Sequence, residues 1–357
     1  MTAATDLSFP PGLPERIDGP SAWLGPDLAA RSDWVETLSA RELAEIEAAC
    51  QPWLPEAADI AQITAAGFAL PSLAPRLAGL LAELLDGRGL TLLRGLPVAT
   101  WGLRKSAIAF FGLGAHLGLA RSQNAQGHLL GHVRDLGLSS RDPAVRIYQT
   151  AERQTFHTDS ADLVGLLCLQ AARAGGLSAL VSSVTLYNEL RRRRPDLACL
   201  LFQPLATDRR GEVPAGCKPY FEIPVFNWFA GKLSTIYQRQ YINSARRFAD
   251  APPLTPALTE ALDLLDALTD DPALHLMMAL QPGDMQFVHN HSLLHDRTAF
   301  EDWPEPARRR HLLRLWLAPA AARPLPSAYA QRYGSLQPGA RGGVMLTGTR
   351  AHVPLGA

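Results

Sequence analysis

Lysine is nearly absent from this chain of 357 residues, and long hydrophobic runs are absent altogether. The only lysines are Lys105, Lys218 and Lys232. Basic and acidic residues number 34 each, so the formal net charge is +0 and no overall basic field attracts nucleic acid or an anionic lipid surface. Charge or proline interrupts every apolar stretch well before 18 residues. We therefore expect no nucleic-acid partner, no membrane association and no transmembrane helix.

Cysteine is scarce and forms no recognisable pattern. None of the four cysteines belongs to a CxxC motif, and their spacing matches no zinc site. Cys168 and Cys199 lie in apolar runs, where cysteine usually packs as a small core side chain. The first residues also lack the basic start and apolar segment of a signal peptide. These features predict a reduced, cytoplasmic protein.

The N-terminal quarter of the chain carries helical signals. Hydrophobic residues make up 47% and charged residues 19%, which is ordinary globular composition. Ser39 and Glu42 form the pattern of a capping box. Leucines recur at helical spacing after Pro71, with Gly87 as a stop. We predict an N-terminal arm with helices over residues 1–88, followed by a short buried strand at 89–97 and a further helix at 104–118.

Beyond about residue 121 the residue pattern becomes typical of β-structure, because short apolar runs alternate with turn residues. Two helical segments, 183–202 and 255–280, interrupt the pattern. The chain is predicted to form one α+β domain, an antiparallel double sheet with helices outside, and residues 321–357 form an irregular tail. The predicted strands occupy residues 145–150, 163–171, 177–183, 221–226, 233–242, 284–290 and 310–318.

The most informative segment is Phe156-His157-Thr158-Asp159. Side chains two apart on an extended segment point to the same side, so His157 and Asp159 can hold one edge of a divalent ion. A third ligand must come from elsewhere, and the candidates are His289, His291 and His295. Two histidines and one carboxylate form the face that non-haem Fe(II) oxygenases use, with open positions for a co-substrate and O₂.

An arginine-rich strand supplies the second chemical feature. On an extended segment Arg310, Leu312 and Arg314 share one face. An arginine that faces a closed interior requires an anion, because a buried unpaired guanidinium is very costly. A dicarboxylate co-substrate would supply that anion through a bidentate pair of hydrogen bonds.

Together these motifs resemble the taurine dioxygenase and clavaminate synthase-like superfamily, over about residues 90–320. The resemblance rests on the HTD motif at 157–159, a histidine 136 residues beyond Asp159 and an arginine 15 residues beyond that histidine. Three further stretches match the family's pattern: Gly175-Gly176-Leu177-Ser178, NHSLLHDRTAFED at 290–302 and RRHLLRLWL at 309–317.

The resemblance implies an Fe(II)- and 2-oxoglutarate-dependent dioxygenase that consumes O₂. His157, Asp159 and His295 would be the iron ligands. Arg310 and Ser178 would bind 2-oxoglutarate, and Arg314 matches a second family arginine nearby. The implied fold is a double-stranded β-helix, a cupin-like jelly roll, over residues 89–320. Because position 159 carries a carboxylate, a site for halide is occupied and halogenation is disfavoured.

The resemblance also suggests which residues contact the substrate. In taurine dioxygenase the residue four before the first histidine is an asparagine that contacts substrate, and here it is Arg153. Arg153 could pair with a substrate carboxylate or form a surface salt bridge with a nearby acid. Asn124 and Gln126, with His128, could line the mouth of the site, and Tyr148 could face the pocket. His128 and His132 mimic a helical zinc pair, but the motif lacks its glutamate, which favours a loop.

We therefore predict an oxygenase that hydroxylates an unactivated C–H of a small polar metabolite, an amino acid or a carboxylate, and releases succinate and CO₂. Desaturation and ring closure use the same iron site and stay open. The alternative is a cupin-like protein that binds a metal and an anion, or senses them, without turnover. A substrate tethered to a carrier or peptide is a third, weaker hypothesis. The partner is a small molecule, and a homo-oligomer stays open.

Overall fold

The computed structural model describes residues 8–141, 145–344 and 346–356. The first seven residues of the predicted arm and two positions of the predicted tail lie outside this part. The helices are α1 Gly25–Ala29, α2 Ala40–Cys50, α3 Ala74–Asp86, α4 Val98–Leu117, α5 Ser183–Arg193, α6 Pro195–Leu200, α7 Arg239–Ala245, α8 Pro256–Thr269 and α9 Ala330–Tyr333. Among the described helices, none combines the length and hydrophobicity that crossing a bilayer requires.

The strands are short and follow the predicted alternation of apolar runs and turns. Those of the first half are β1 Val35–Thr37, β2 Leu90–Arg94, β3 Leu119–Ala120, β4 Leu130–Val133, β5 Gln154–His157, β6 Leu163–Gln170, β7 Ala174–Gly175 and β8 Ser178–Ser182. Those of the second half are β9 Ala206–Asp208, β10 Tyr220–Glu222, β11 Phe226–Phe229, β12 Lys232–Thr235, β13 Leu276–Met278, β14 Met285–His289, β15 Leu293–Arg297, β16 Phe300–Glu301 and β17 His311–Ala318.

Two sheets form the centre of this α+β structure. The larger has the order β1-β2-β14-β6-β17-β3, with β4 also paired to β17, and the smaller has the order β13-β8-β15-β5. All their pairings are antiparallel except that of β1 with β2. Leu180 and Leu293 of the smaller sheet share a buried cluster with Val164 and Val288 of the larger. The sheets therefore pack face to face.

Alternate side chains of strand β17 face opposite sides of the larger sheet, one side towards the hydrophobic core and the other towards the candidate site. Leu313, Leu315 and Leu317 point outward into the cluster formed with helices α3 and α4. Arg314 and Trp316 alternate with them and point to the space between the sheets. Helices α5, α6 and α8 cover the smaller sheet in the same way, through a second apolar cluster.

The helical predictions near the N-terminus are confirmed. Ser39 and Glu42 form the capping box of α2, and α3 ends at Asp86 with Gly87 as its C-cap. Strand β2 lies within the predicted segment 89–97. Helix α4 begins at Val98 rather than at 104, with a kink at Gly102, whose φ of +68° favours glycine.

Several predicted elements are wrong in part. The predicted strand at 221–226 is interrupted between β10 and β11, and the predicted helix at 183–202 breaks before Pro195 into α5 and α6. Residues 145–150 form no strand, because the Gln149 N–H donates to the Arg146 carbonyl at 2.9 Å and closes a single 3₁₀ turn, and the Gln149 side-chain carbonyl accepts from the Arg146 N–H. The strand at 233–242 ends at Thr235, the last residue that β11 can pair, and α7 follows. The helix at 255–280 ends at Thr269, shortly before Pro272, and its last part pairs with β8 as β13.

Candidate active site

The HTD motif meets the distal histidine at one edge of the smaller sheet. His157 ends β5, and it lies directly opposite His295 of β15 in the strand register. The Asp159 carboxylate lies 3.9 Å from His157 Nε2 and 3.8 Å from His295 Nε2. Ligand atoms of the three side chains all lie within 4.8 Å of one another, and no other group of this kind occurs in the described part of the chain.

These separations fit a metal ion better than hydrogen bonds. At 3.8–3.9 Å the nitrogen and oxygen atoms are too far apart for a hydrogen bond. Bonds of about 2.0–2.2 Å from nitrogen and carboxylate oxygen to a divalent ion would span such gaps. His157 Nδ1 donates to the carbonyl of Thr155 at 2.8 Å, which leaves the Nε2 lone pair facing the site.

The carboxylate of Asp159 is held from two directions. Trp316 Nε1 donates to its Oδ2 at 2.8 Å, and Arg314 donates to the same oxygen at 3.3 Å. Asn290 holds the backbone on either side of it. The Asn290 side-chain carbonyl accepts from the Asp159 N–H at 2.8 Å, while its amide donates to the carbonyls of Asp159 and Ala161. The position of the carboxylate is therefore fixed without a metal.

The protonation states also suit a cation. Burial lowers the pKa of His295 to about 3, with a contribution from His157 that exceeds the opposing effect of Asp159. Burial lowers the pKa of His157 in the same way. For Asp159 burial acts to raise the pKa, but Arg314 and the two histidines outweigh it, so the pKa is lowered. At neutral pH the group presents two neutral imidazoles and one carboxylate.

One further contact involves Gln154, which the sequence analysis did not single out. Its amide donates to His157 Nε2 at 2.9 Å, and its side chain lines the space between the sheets. A ligated ion at His157 would have to displace this hydrogen bond.

A small cavity between the sheets contains the predicted co-substrate residues. It has a volume of about 50 Å³, and its lining includes His157, His295, Arg310, Arg314 and Ser178. The hydroxyl of Ser178 donates to the side-chain carbonyl of Gln286 at 3.0 Å, a partner that no sequence motif indicated.

In the described part of the chain, the Arg310 guanidinium forms no salt bridge, and the nearby Asp302 carboxylate accepts a hydrogen bond from the Arg310 backbone N–H at 2.6 Å. The Arg310 side chain is 5% exposed, and its Nη1 is buried without a hydrogen-bond partner. The ring of Phe300 lies 5.0 Å from the guanidinium. Burial lowers the Arg310 pKa to about 10, so the group still carries its charge at neutral pH. Gly176, with φ of +66°, allows the close approach, because a Cβ there would lie 3.0 Å from Arg310 Nε.

A larger cavity of about 660 Å³ adjoins the triad. His157 and Asp159 form part of its wall, and Tyr148 and Arg314 line both cavities. Asn124 and Gln126 lie on this wall as predicted, but the Asn124 amide already makes contacts within its own loop, to the backbone of Gln126 and His128 and to the His128 ring.

Arg153 lies elsewhere. Its guanidinium forms salt bridges with Asp296 at 2.7 Å and Asp270 at 2.5 Å, and its side chain is 42% exposed. It borders neither cavity. Of the two interpretations of Arg153, the geometry matches the salt bridge with nearby acids.

The alternative histidines lie outside the site. His291 Nε2 contacts Asp162 at 2.9 Å, and His289 Nδ1 contacts Ser292 Oγ at 2.7 Å, both fully buried. His132 lies on strand β4 rather than on a helix, and its Nδ1 lies 2.8 Å from His311 Nε2.

Comparison with known proteins points in one direction. The sequence profile described as "Taurine catabolism dioxygenase TauD, TfdA family" matches residues 55–316. FR-33289 synthase from Streptomyces rubellomurinus is 30% identical over 334 residues, which cover 90% of this chain and 96% of the relative. The taurine hydroxylase-like protein SAT17 from Stachybotrys chartarum is 30% identical over 323 residues, which cover 88% and 82%.

Among solved structures, asparagine oxygenase in complex with Fe(II), 2S,3S-3-hydroxyasparagine and succinate aligns with a TM-score of 0.62. The alignment covers 80% of this chain and 93% of that one, at 20% sequence identity. At that identity the likeness concerns the fold.

Proposed function

Because the chain belongs to the taurine catabolism dioxygenase TauD/TfdA family of Fe(II)- and 2-oxoglutarate-dependent oxygenases, we propose that it hydroxylates an unactivated C–H of a small polar metabolite. Succinate and CO₂ are the co-products. The substrate class expected from the sequence is an amino acid or a carboxylate. The fold supports a double-stranded β-helix, since the two antiparallel sheets pack face to face.

We assign Fe(II) to His157, Asp159 and His295. When bound, the iron supplies a template on which 2-oxoglutarate and O₂ react. The residues of this chain supply position and charge. Thr155 and Asn290 orient two of the ligands, and Trp316 holds the carboxylate oxygen that faces His295.

The observation that carries the proposal is the buried charge of Arg310. An isolated guanidinium at 5% exposure is strongly disfavoured unless an anion accompanies it. A carboxylate of 2-oxoglutarate provides that anion, with Ser178 as a hydroxyl donor and Arg314 as a second positive charge beside the triad. A binding protein without turnover would keep the same two sites but would release no succinate.

We propose that Tyr148, Asn124 and Gln126 border the substrate, since they line the larger cavity with the iron ligands. Arg153 is not part of this proposal, because Asp296 and Asp270 already neutralise it. We further propose that the chain is one domain with its core at residues 89–320. Four free cysteines support a cytoplasmic location.

The test is an anaerobic titration of the protein with Fe(II) and 2-oxoglutarate, followed through the visible iron-to-keto-acid charge-transfer band. We expect the band in the wild type, its loss in His157→Ala, and an increase of about tenfold or more in the Kd for 2-oxoglutarate in Arg310→Gln. Arg308→Gln is the matched control, since Arg308 is 54% exposed, borders neither cavity, and contacts Glu305 at 3.6 Å and the ring of Trp303. If iron binds to the wild type and no band appears, the assignment of Arg310 fails.

A further inference from the structure

The larger cavity is lined far more by arginine than by acid. Its acidic residues are Asp159, Asp208 and Glu212, against six arginines. The mechanism above uses only one of those arginines, at the triad. The six are Arg134, Arg146, Arg209, Arg210, Arg314 and Arg332.

Two of the three acids are committed elsewhere. Asp159 faces Arg314 and the histidines of the triad. Asp208 is fully buried and pairs with Arg247, which does not border the cavity, at 3.1 Å. Among the acidic residues that the structure describes in the lining, this leaves Glu212 to face the arginines of the far wall.

Glu212 is shared between two guanidiniums, and a third lies beside them without a carboxylate. Arg146 approaches Glu212 to 3.1 Å and Arg332 approaches it to 3.8 Å. Arg209 is 4% exposed, and within the described residues its guanidinium donates to the backbone carbonyls of Lys218 and Gln331. Burial lowers the pKa of Arg209, and the neighbouring Arg332 lowers it further.

We call Arg146, Arg209 and Arg332 the arginine cluster. Its members come from three distant segments: the 3₁₀ turn before β5, the connection from β9 to β10, and helix α9. The ring of Phe221 lies 5.5 Å from the Arg209 guanidinium and 5.9 Å from that of Arg332. Arg332 Nε also donates to Ser160 Oγ at 2.7 Å, one residue beyond the metal ligand Asp159.

Three guanidiniums and one carboxylate leave two positive charges at a largely buried wall. The side chains of Arg146 and Arg332 are only 18% and 11% exposed. Such a surplus is costly unless a ligand balances it. A phosphoryl group carries about −1.5 to −2 charges at pH 7 and three acceptor oxygens. A single carboxylate carries one charge and two oxygens, and would leave part of the surplus unpaired.

We propose that the arginine cluster binds a phosphoryl group of the substrate, as a phosphate ester or a phosphonate. This inference rests on the proposed function. The charged group of the substrate is then a dianionic phosphoryl group rather than the carboxylate expected from the sequence. The cluster fixes one end of the substrate, and the same cavity leads to the iron ligands His157 and Asp159. A carbon of the substrate is thereby held towards the metal while the charged end stays at the far wall.

The experiment measures anaerobic binding to the protein loaded with Fe(II) and 2-oxoglutarate, by calorimetry. The probes are inorganic phosphate, methylphosphonate and acetate. We expect the first two to bind at least about tenfold more tightly than acetate, and Arg209→Gln or Arg332→Gln to weaken them by about tenfold or more. Arg192→Gln, at a site that is 66% exposed on α5, is the control and should change nothing.

Glu212→Gln separates a binding role from a structural one. Removing the carboxylate frees Arg146 and Arg332, so phosphate should bind more tightly, a result that loss of folding cannot produce. If the arginine cluster only ties three segments together, Glu212→Gln and the arginine variants will lower the melting temperature and leave phosphate affinity unchanged. That outcome, or acetate binding as tightly as phosphate, overturns the proposal.

The two sources of the phosphoryl group are compared with ethyl phosphate and propylphosphonate, which differ in the atom attached to phosphorus. Tighter binding of ethyl phosphate indicates a phosphate ester, and tighter binding of propylphosphonate indicates a phosphonate. Loss of the charge-transfer band in the wild type would refute the proposed function itself. An intact band with no preference for phosphate would refute only the role of the arginine cluster.

Discussion

At the scale of single residues, the site depends on side chains that hold the ligands in place. Asn290 is fully buried, and each end of its amide contacts the backbone around Asp159. An aliphatic side chain there would leave one N–H and two carbonyls of the ligand loop without these partners. The conformation of that loop determines where the carboxylate points.

We therefore expect Asn290→Ala to weaken Fe(II) binding by about 10- to 100-fold, the usual effect of losing a group that orients a ligand. Anaerobic titration with Fe(II) measures the change, and the melting temperature of the apoprotein monitors folding. Asn243→Ala, at an exposed position of α7, is the matched control. An unchanged Fe(II) affinity in a folded Asn290→Ala protein would contradict the positioning role.

At the scale of elements, close packing between a strand and its neighbours limits which residues are allowed. Gly165 lies in β6 at the centre of the larger sheet. A Cβ at this position would lie 2.8 Å from the ring of Phe287 and 3.2 Å from that of Phe110. Glycine is required here by the two aromatic rings rather than by backbone conformation.

Gly165→Ala should lower the free energy of unfolding by about 1–3 kcal/mol, because the rings must shift to admit a methyl group. Gly79→Ala provides the opposite case. Gly79 is exposed within α3, and a methyl group on it would meet no atom of another element within 4 Å, so alanine should add about 0.5–1 kcal/mol through helix propensity. Urea denaturation of both variants measures the two changes, and equal shifts would refute the packing argument.

Elements with a local cause were predictable from the sequence. The capping box of Ser39 and Glu42 and the alternation of Arg314 with Leu313 and Leu315 are encoded within a few residues. The salt bridges of Arg153 were not predictable, because Asp270 and Asp296 lie more than 100 residues away in the chain. The arginine cluster was missed for the same reason, since no spacing relates its three segments.

At the scale of the whole molecule, a buried ion pair joins the C-terminal segment to the core. Arg341 is fully buried and contacts both oxygens of Asp162, which also contacts His291 at 2.9 Å. Burial acts to raise the pKa of Asp162, but His291 and Arg341 outweigh it, so its pKa lies below the ordinary value. A carboxyl group with a lowered pKa stabilises the fold above its unfolded-state value, and that contribution is lost as the pH falls.

Arg341→Met should therefore destabilise the protein by about 3–5 kcal/mol at neutral pH, since it leaves the Asp162 carboxylate buried without its main partner. The difference from the wild type should shrink as the pH falls below about 4, where the unfolded-state carboxyl takes up a proton. Arg350→Met is the control, because Arg350 is 89% exposed and should change stability by less than about 0.5 kcal/mol. Thermal unfolding across this pH range checks both expectations, and a pH-independent difference would contradict them.

The pairing of His157 with His295 across two strands has a further consequence. Strand β5 is the edge of the smaller sheet, only four residues long, and β15 is its sole neighbour in that sheet. An ion bound by both histidines would cross-link the edge strand β5 to its neighbour β15. The amide protons of β5 should then exchange with solvent deuterium more slowly once iron is present, so the metal that serves the chemistry also determines how often this edge of the protein opens.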